Sequence, residues 1–251
     1  LCLGNSGPYA ERCLWRKDFE RAKKAHVLVV NHALLLAAPG GWLPYDALVI
    51  DEAHNLEDVA ANNMGFTLSA QRVERLLDDV YNARTSRGLV FTFRTLDPTI
   101  VGTLRTLISK AHAANKGFFA EAQKKLSLAA GFMVGRGSGA RRVKEPDIFP
   151  DTLSPALRPI ITELIGLVSH ASTKEQEESV NAVRKRFEGI VSETNTFLAN
   201  NDPELVFWGE LRISKKTPKV ELKMAPVHVG EKLHSLFFSK DKPIFLTSAT
   251  L

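Results

Sequence analysis

Residues 47–56 read ALVIDEAHNL, from Ala47 to Leu56. A short apolar run, Ala47 to Ile50, ends in two adjacent carboxylates, Asp51 and Glu52, with His54 two residues after the second. A carboxylate at the end of a buried strand is costly unless it meets a cation or hydrogen-bond donors. The string therefore asks for a partner. Two other apolar runs, Val27–Val30 and Ile244–Thr247, also lack polar alternation, as expected of parallel strands covered on both faces. Each ends in polar residues: Asn31-His32 after the first and Ser248-Ala249-Thr250 after the second. Ligands of open α/β sheets bind beyond the carboxyl ends of the strands. The pattern thus predicts an α/β fold in which the three polar clusters face one crevice.

The residue types suit a particular chemistry. Magnesium takes oxygen ligands and keeps several waters between itself and a protein carboxylate, a role open to Asp51. A second carboxylate, Glu52, can orient and deprotonate an attacking water, as in nucleoside triphosphate hydrolysis. His54 can hydrogen-bond to a neighbouring segment, and Ser248 and Thr250 add hydroxyls to the same crevice. The plainer alternative is an acidic helix cap after a core strand.

Between about residues 57 and 205 the periodicity becomes helical, with apolar positions three and four apart. Ser69 is placed to cap a helix carrying Val73, Leu76, Leu77, Val80 and Tyr81. Asp97-Pro98 opens another, carrying Ile100 to Ile108. Phe118–Phe132 reads as a further helix, with Phe118, Phe119 and Phe132 in the core of this helical region. Ser154-Pro155 starts one with Leu157, Ile160 and Leu164. Thr173 and Gln176 form a capping box before a long helix ending near Leu198. Beyond Asn200-Asn201-Asp202-Pro203, Phe207–Ile213 and Lys219–Met224 read as a hairpin. A short helix, Glu231–Phe238, precedes the last strand. Residues 135–144 read as a flexible basic loop, in which Arg136, Arg141, Arg142 and Lys144 are candidates for phosphate contact. Asn31 and His32 suit either a DNA backbone or a turn. Tyr9, Trp15, Trp42 and Trp208 could stack on bases. His112, His170, His228 and His234 show no metal-ligand spacing.

The 251 residues carry a net charge of +5, which suits a polyanionic partner without requiring one. No apolar run approaches the ~18 residues that span a bilayer, and no signal peptide is visible. Two cysteines, Cys2 and Cys13, are too few for a disulfide framework and fit a reducing, cytoplasmic compartment. The first residue is not Met and the last is Leu251, directly after a strand-like run; the expectation is a piece of a longer protein. No Gly-x-x-x-x-Gly-Lys-Ser/Thr phosphate loop occurs, and Gly230-Glu231-Lys232-Leu233 does not match one.

Asp51-Glu52-Ala53-His54 resembles the DEAH form of the Walker B motif of superfamily-2 helicases, and Ser248-Ala249-Thr250 resembles their SAT motif. With Val29-Val30-Asn31-His32-Ala33-Leu34-Leu35-Leu36 before the first and Phe245-Leu246-Thr247 before the second, the chain is similar to the DinG branch of the XPD-like DNA helicases. The resemblance implies a partial RecA-like parallel sheet of the P-loop NTPase fold, at 1–56 and 206–251, interrupted by a helical arch domain at 57–205. It implies ATP-driven 5′-to-3′ translocation on single-stranded DNA, in repair or replication within the bacterial cytoplasm. Asp51 would bind magnesium through water, Glu52 would activate water, and His54 with Ser248 and Thr250 would couple hydrolysis to DNA movement. The phosphate loop and the second RecA-like domain are absent from this sequence, so the chain alone is expected not to hydrolyse ATP.

Many of these helicases hold a [4Fe–4S] cluster on four cysteines. Cys2 and Cys13 match two of the positions in a degenerate segment, 1–24, but Gly7 stands where a third would lie. An iron–sulfur cluster is therefore not expected. Two readings of other classes stay open: a non-catalytic DNA- or protein-binding module, and a nuclease on a helicase-like scaffold, since an acidic pair with metal also cleaves phosphodiesters.

Overall fold

The computed structural model describes residues 10–37, 44–128, 139–213 and 218–249. They divide into two compact units. One comprises residues 67–202 and 207–224; the other comprises residues 10–66, 203–206 and 225–249.

The first unit is built on helices whose starts follow from local chemistry. Helix α4 (Ala70–Val80) is capped by Ser69, whose hydroxyl accepts from the Arg72 N–H at 3.3 Å. Helix α5 (Pro98–Leu128) begins where Asp97 Oδ1 accepts from the Thr99 N–H at 2.8 Å. Helix α6 (Ser154–Val168) is capped from outside: Asp151 Oδ1 accepts from the N–H groups of Leu153 and Ser154. Helix α7 (Lys174–Ala199) carries the expected box, with Thr173 Oγ1 accepting from Gln176 N–H. The Gln176 side chain reaches back to the Ser172 N–H, one residue earlier than in the standard box.

Helix α5 corrects the expectation of two helices. Leu104, Ile108, Ala111, Asn115, Phe118, Ala122 and Leu126 are all buried, an unbroken stripe at spacings of three and four. Asn115 keeps the stripe by donating to the Ala70 carbonyl at 3.0 Å. Phe119 is buried as well, while Phe132 and the basic stretch to Ser138 lie outside the described residues.

A four-stranded sheet completes the fold in the order β2-β5-β4-β3, with β2 Phe66–Ser69, β3 Gly139–Val143, β4 Leu205–Ile213 and β5 Pro218–Pro226. The expected hairpin is thus a pair of neighbouring strands. Residues 139–143, expected as loop, are a strand antiparallel to β4, with Arg141 opposite Gly209 and Val143 opposite Phe207. Phe118, Phe149, Phe197 and Phe207 form a chain of ring contacts through this core.

The second unit holds helices α1 (Leu14–Ala22), α2 (His32–Ala37), α3 (Leu56–Met64) and α8 (Gly230–Leu233), the last continuing as one π-helical turn, His234–Phe238. Strands β1 (Leu48–Ile50) and β6 (Ile244–Leu246) pair in parallel, Ile50 opposite Leu246. Leu36, Ile50, Leu56, Ala60, Val229, Leu233 and Phe237 form its core.

Two expectations fail in this unit. Val27–Val30 is not a strand: it has no ladder partner among the described residues, and Val29 is 89% exposed. The sheet is not covered on both faces either, since Val49 and Phe245, opposite each other, are 63% and 57% exposed. An apolar run becomes a strand only where another strand satisfies its backbone groups, which the composition of the run alone does not settle. No described helix is long and apolar enough to cross a membrane.

Candidate functional site

The parallel pairing of β1 and β6 carries two distant stretches of sequence to one place. The ladder continues past both strands: Thr247 N–H donates to the Ile50 carbonyl, and Ala53 N–H to the Thr247 carbonyl, both at 2.9 Å. Asp51, Glu52 and His54 therefore meet the chain at Thr247 and Ser248.

The side chains then interlock. Thr247 Oγ1 donates to Asp51 Oδ1 at 2.6 Å, and Glu52 N–H donates to the same oxygen at 3.0 Å. The Thr247 hydroxyl, then the Glu52 amide, and more weakly His32 hold the Asp51 carboxyl below its ordinary 3.8. His54 Nδ1 lies 2.7 Å from Ser248 Oγ and 3.3 Å from Glu52 Oε2. Which of the histidine and serine donates depends on the tautomer. Glu52 itself sits at φ 50, ψ 46, in the left-handed region. A side chain there is strained, and such strain concentrates at functional sites.

Asn31 and His32 belong to this neighbourhood. Asn31 Oδ1 accepts from the Leu34 N–H at 2.8 Å, so its side chain closes the first turn of α2. A carbonyl oxygen only accepts, so His32 Nε2 carries the proton it gives to the Asp51 carbonyl, at 2.9 Å. Thr247 was not among the candidates drawn from the sequence. Its position at the strand end, just before Ser248, is the signal that could have found it. Thr250 lies outside the described residues.

Among the described residues no group of three or more His, Cys, Asp or Glu side chains could hold a metal ion directly. Asp51 Oδ1 is occupied by its two donors, while Oδ2 has no hydrogen bond among the described residues. One free carboxylate oxygen fits a hydrated magnesium, which draws most of its ligands from water and phosphate. It does not fit a dehydrated metal caged by protein.

The remaining candidates are dispersed. Cys13 is a partly exposed free thiol at the start of α1, and Cys2 lies outside the described residues. Arg141 is tied down: its guanidinium donates to the Lys125 carbonyl at 3.1 Å, near the end of α5. Arg142 and Lys144 are exposed; Arg136 lies outside the described residues. Trp15 is exposed and stacked on Phe19, and Trp208 donates to Glu210 Oε1 at 3.2 Å. Tyr9 and Trp42 are outside the described residues.

An acidic strand end joined to a hydroxyl-bearing strand end on a parallel sheet is the class of site that the sequence comparison bears on. The chain matches no protein-family profile. It is 36% identical over 87 residues to the ATP-dependent DNA helicase YoaA of Escherichia coli (strain K12), a stretch covering 32% of this chain and 14% of that protein. The ATP-dependent DNA helicase YoaA of Haemophilus influenzae is 21% identical over 260 residues, covering 100% of this chain and 36% of that protein. The sequence is thus helicase-related, and the chain spans 36% or less of the length of these curated relatives.

Proposed function

We propose that the chain is part of an ATP-dependent DNA helicase of the DinG type, contributing one wall of the ATP site and a helical arch insertion at about 57–205. The observation that carries the proposal is the joining of the DEAH and SAT ends: Thr247 bonded to Asp51, and His54 to Ser248. An acidic helix cap would not require either contact.

In this reading Asp51 holds a hydrated magnesium through its free Oδ2. Magnesium, when bound with ATP, supplies charge neutralisation at the phosphates. Glu52 orients the attacking water and accepts its proton. His54, touching both Glu52 and Ser248, links the state of the base to the following segment, Ser248 to Thr250. That segment passes the change on as movement along single-stranded DNA, 5′ to 3′. Arg142 and Lys144 are proposed to take phosphates, with Arg136. Asn31 and His32 serve the site by holding α2 and the Asp51 carbonyl. The protein works in the bacterial cytoplasm, in repair or replication, without an iron–sulfur cluster.

The test is Glu52→Gln in a polypeptide that also carries a phosphate loop and a second RecA-like domain. DNA-stimulated ATP hydrolysis should fall by about 100-fold or more, the usual contribution of a general base, with ATP binding retained. The 251-residue chain alone should not turn over ATP. Robust hydrolysis by it, or an unaffected Glu52→Gln enzyme, overturns the proposal.

A further inference from the structure

The first unit carries a surface that neither the DEAH end nor the basic stretch at 135–144 accounts for. From Val80 to Leu96 the sequence contains Arg84, Arg87 and Arg94 and no acidic residue. All three arginines are exposed, and none of their side chains makes a hydrogen bond or ion pair among the described residues. The acids flanking the segment in sequence are already engaged, and the first turn of α7, which meets it at Thr92, adds Glu175 and Glu177 beside Gln176. Asp79 is paired with Arg186 at 2.7 Å, Asp78 lies 3.7 Å from His112, and Asp97 caps α5. The positive charge of the segment is therefore not cancelled from within its own stretch of chain.

The segment is also built rather than loose. Asn82 and Arg87 exchange backbone hydrogen bonds at 2.8 and 3.3 Å, and Asn82 Oδ1 accepts from the Thr85 N–H. Gly88 adopts φ 126, which no other residue holds comfortably, and a Cβ added there would collide with the Val80 carbonyl. Leu89, Val90 and Phe93 are buried, and Gln176 Nε2 donates to the Thr92 carbonyl at 2.8 Å. Between those anchors Phe91 stays 46% exposed, stacked on Tyr81 with ring centroids 5.4 Å apart and planes 19° apart. The interior contacts of the segment are made by Leu89, Val90 and Phe93, which leaves Phe91 half-exposed in a stretch of sequence that also carries three arginines.

We propose that Tyr81–Leu96 is a contact for single-stranded nucleic acid, in which Phe91, backed by Tyr81, offers a ring to a base and Arg84, Arg87 and Arg94 take phosphates. A ring face with nearby cations is what an unpaired strand needs, because every base has a π-face and every nucleotide a charge. An acidic peptide needs only the arginines, whereas an unpaired strand uses the arginines and the ring together. The identity of the polyanion rests on the helicase reading; the site does not, since it lies apart in sequence from Asp51, Glu52 and Ser248.

The test uses the 251-residue chain and a fluorescein-labelled oligo-dT, with binding measured by anisotropy at several salt concentrations. The Arg84→Ala/Arg87→Ala/Arg94→Ala variant should bind more weakly, with the slope of log affinity against log salt reduced by up to about 2, at ~0.7 per phosphate on a single strand. Phe91→Leu keeps the apolar contact with Tyr81 and removes the stacking face. It should weaken binding by between about 5- and 100-fold with an unchanged salt slope. Circular dichroism melting of each variant checks folding. Failure of the chain to bind oligo-dT, or wild-type binding by both folded variants, overturns the proposal. Equal loss with an acidic heptapeptide competitor in place of the oligonucleotide, and none with oligo-dT, assigns the surface to a protein and overturns it too. ATP hydrolysis is not read in this experiment, so its outcome is separate from that of Glu52→Gln.

Discussion

Thr247 donates its hydroxyl to Asp51 Oδ1 at 2.6 Å across a sequence separation of 196 residues. The bond exists because β1 and β6 run parallel with Ile50 opposite Leu246, so the next residue of each strand emerges at the same sheet end. A shift of one residue in that register would turn the two side chains to opposite faces.

That bond predicts a titration. Asp51 is held below its ordinary 3.8 first by the Thr247 hydroxyl and then by the Glu52 amide. Thr247→Val should move the Asp51 carboxyl upward, and Thr247→Ser should leave it depressed, as read from carbon-detected NMR of the carboxylate. The sign for stability follows. A depressed folded value stabilises the protein above the unfolded value, and that contribution is lost as pH falls through the folded one. Wild type should therefore lose more stability than Thr247→Val as pH drops below the ordinary aspartate range. Superimposable Asp51 titrations in wild type and Thr247→Val would remove the hydroxyl as the cause.

Gly88→Ala tests the backbone of the 81–96 segment. At φ 126 an added Cβ would sit 2.6 Å from the Val80 carbonyl oxygen. The conformation alone costs a non-glycine residue about 1–3 kcal/mol, and backbone atoms cannot yield as a side chain can. Chemical denaturation should show a loss of at least that size; an unchanged midpoint and slope would mean that the segment does not hold this conformation.

These two cases also mark how far the sequence could be read. Ser69, Asp97 and Thr173 were legible as caps because a cap is chemistry between residues two or three apart. The acidic pair and the serine after the last strand were legible for the same reason: each is a short string with its own strand. What joins them was not, since neither the Thr247–Asp51 bond nor the His32 ring on the Asp51 carbonyl follows from local spacing. Val27–Val30 and Gly139–Val143 failed in opposite directions. The first has strand composition but no ladder among the described residues; the second has loop composition and a ladder with β4. In both, the presence or absence of a pairing strand among the described residues outweighed local preference.

Phe197→Ala probes the core of the first unit. Phe197 is buried between Phe149, at 6.4 Å, and Phe207, at 5.8 Å in an edge-on arrangement, so it joins α7 to the sheet through one side chain. Truncation leaves a cavity between two rings, and comparable Phe→Ala changes cost about 3–5 kcal/mol. Phe197→Leu should cost less, because it refills part of the space. Equal stability of Phe197→Ala and wild type in urea would show that the ring chain does not carry the packing assigned to it.

Glu52 should behave against the usual rank order of alanine and glycine. In a helix or strand, alanine is the more stable substitution by about 0.5–1 kcal/mol. Glu52 sits at φ 50, where a Cβ crowds the following carbonyl and glycine does not. Glu52→Gly should therefore be more stable than Glu52→Ala by about 1 kcal/mol, even after the larger entropy of an unfolded glycine is counted. Comparing the two substitutions cancels the loss of the carboxylate and of its 3.3 Å approach to His54. Hydrogen exchange at the Thr247 amide, bonded to the Ile50 carbonyl beside the site, reads the local effect without relying on the first unit. Faster exchange in Glu52→Gly than in Glu52→Ala would show that the left-handed backbone is not strained. If it is strained, and if both variants lose DNA-stimulated ATP hydrolysis in the longer helicase, the carboxylate is kept at a position where glycine would fold better. Chemistry rather than packing then accounts for its presence.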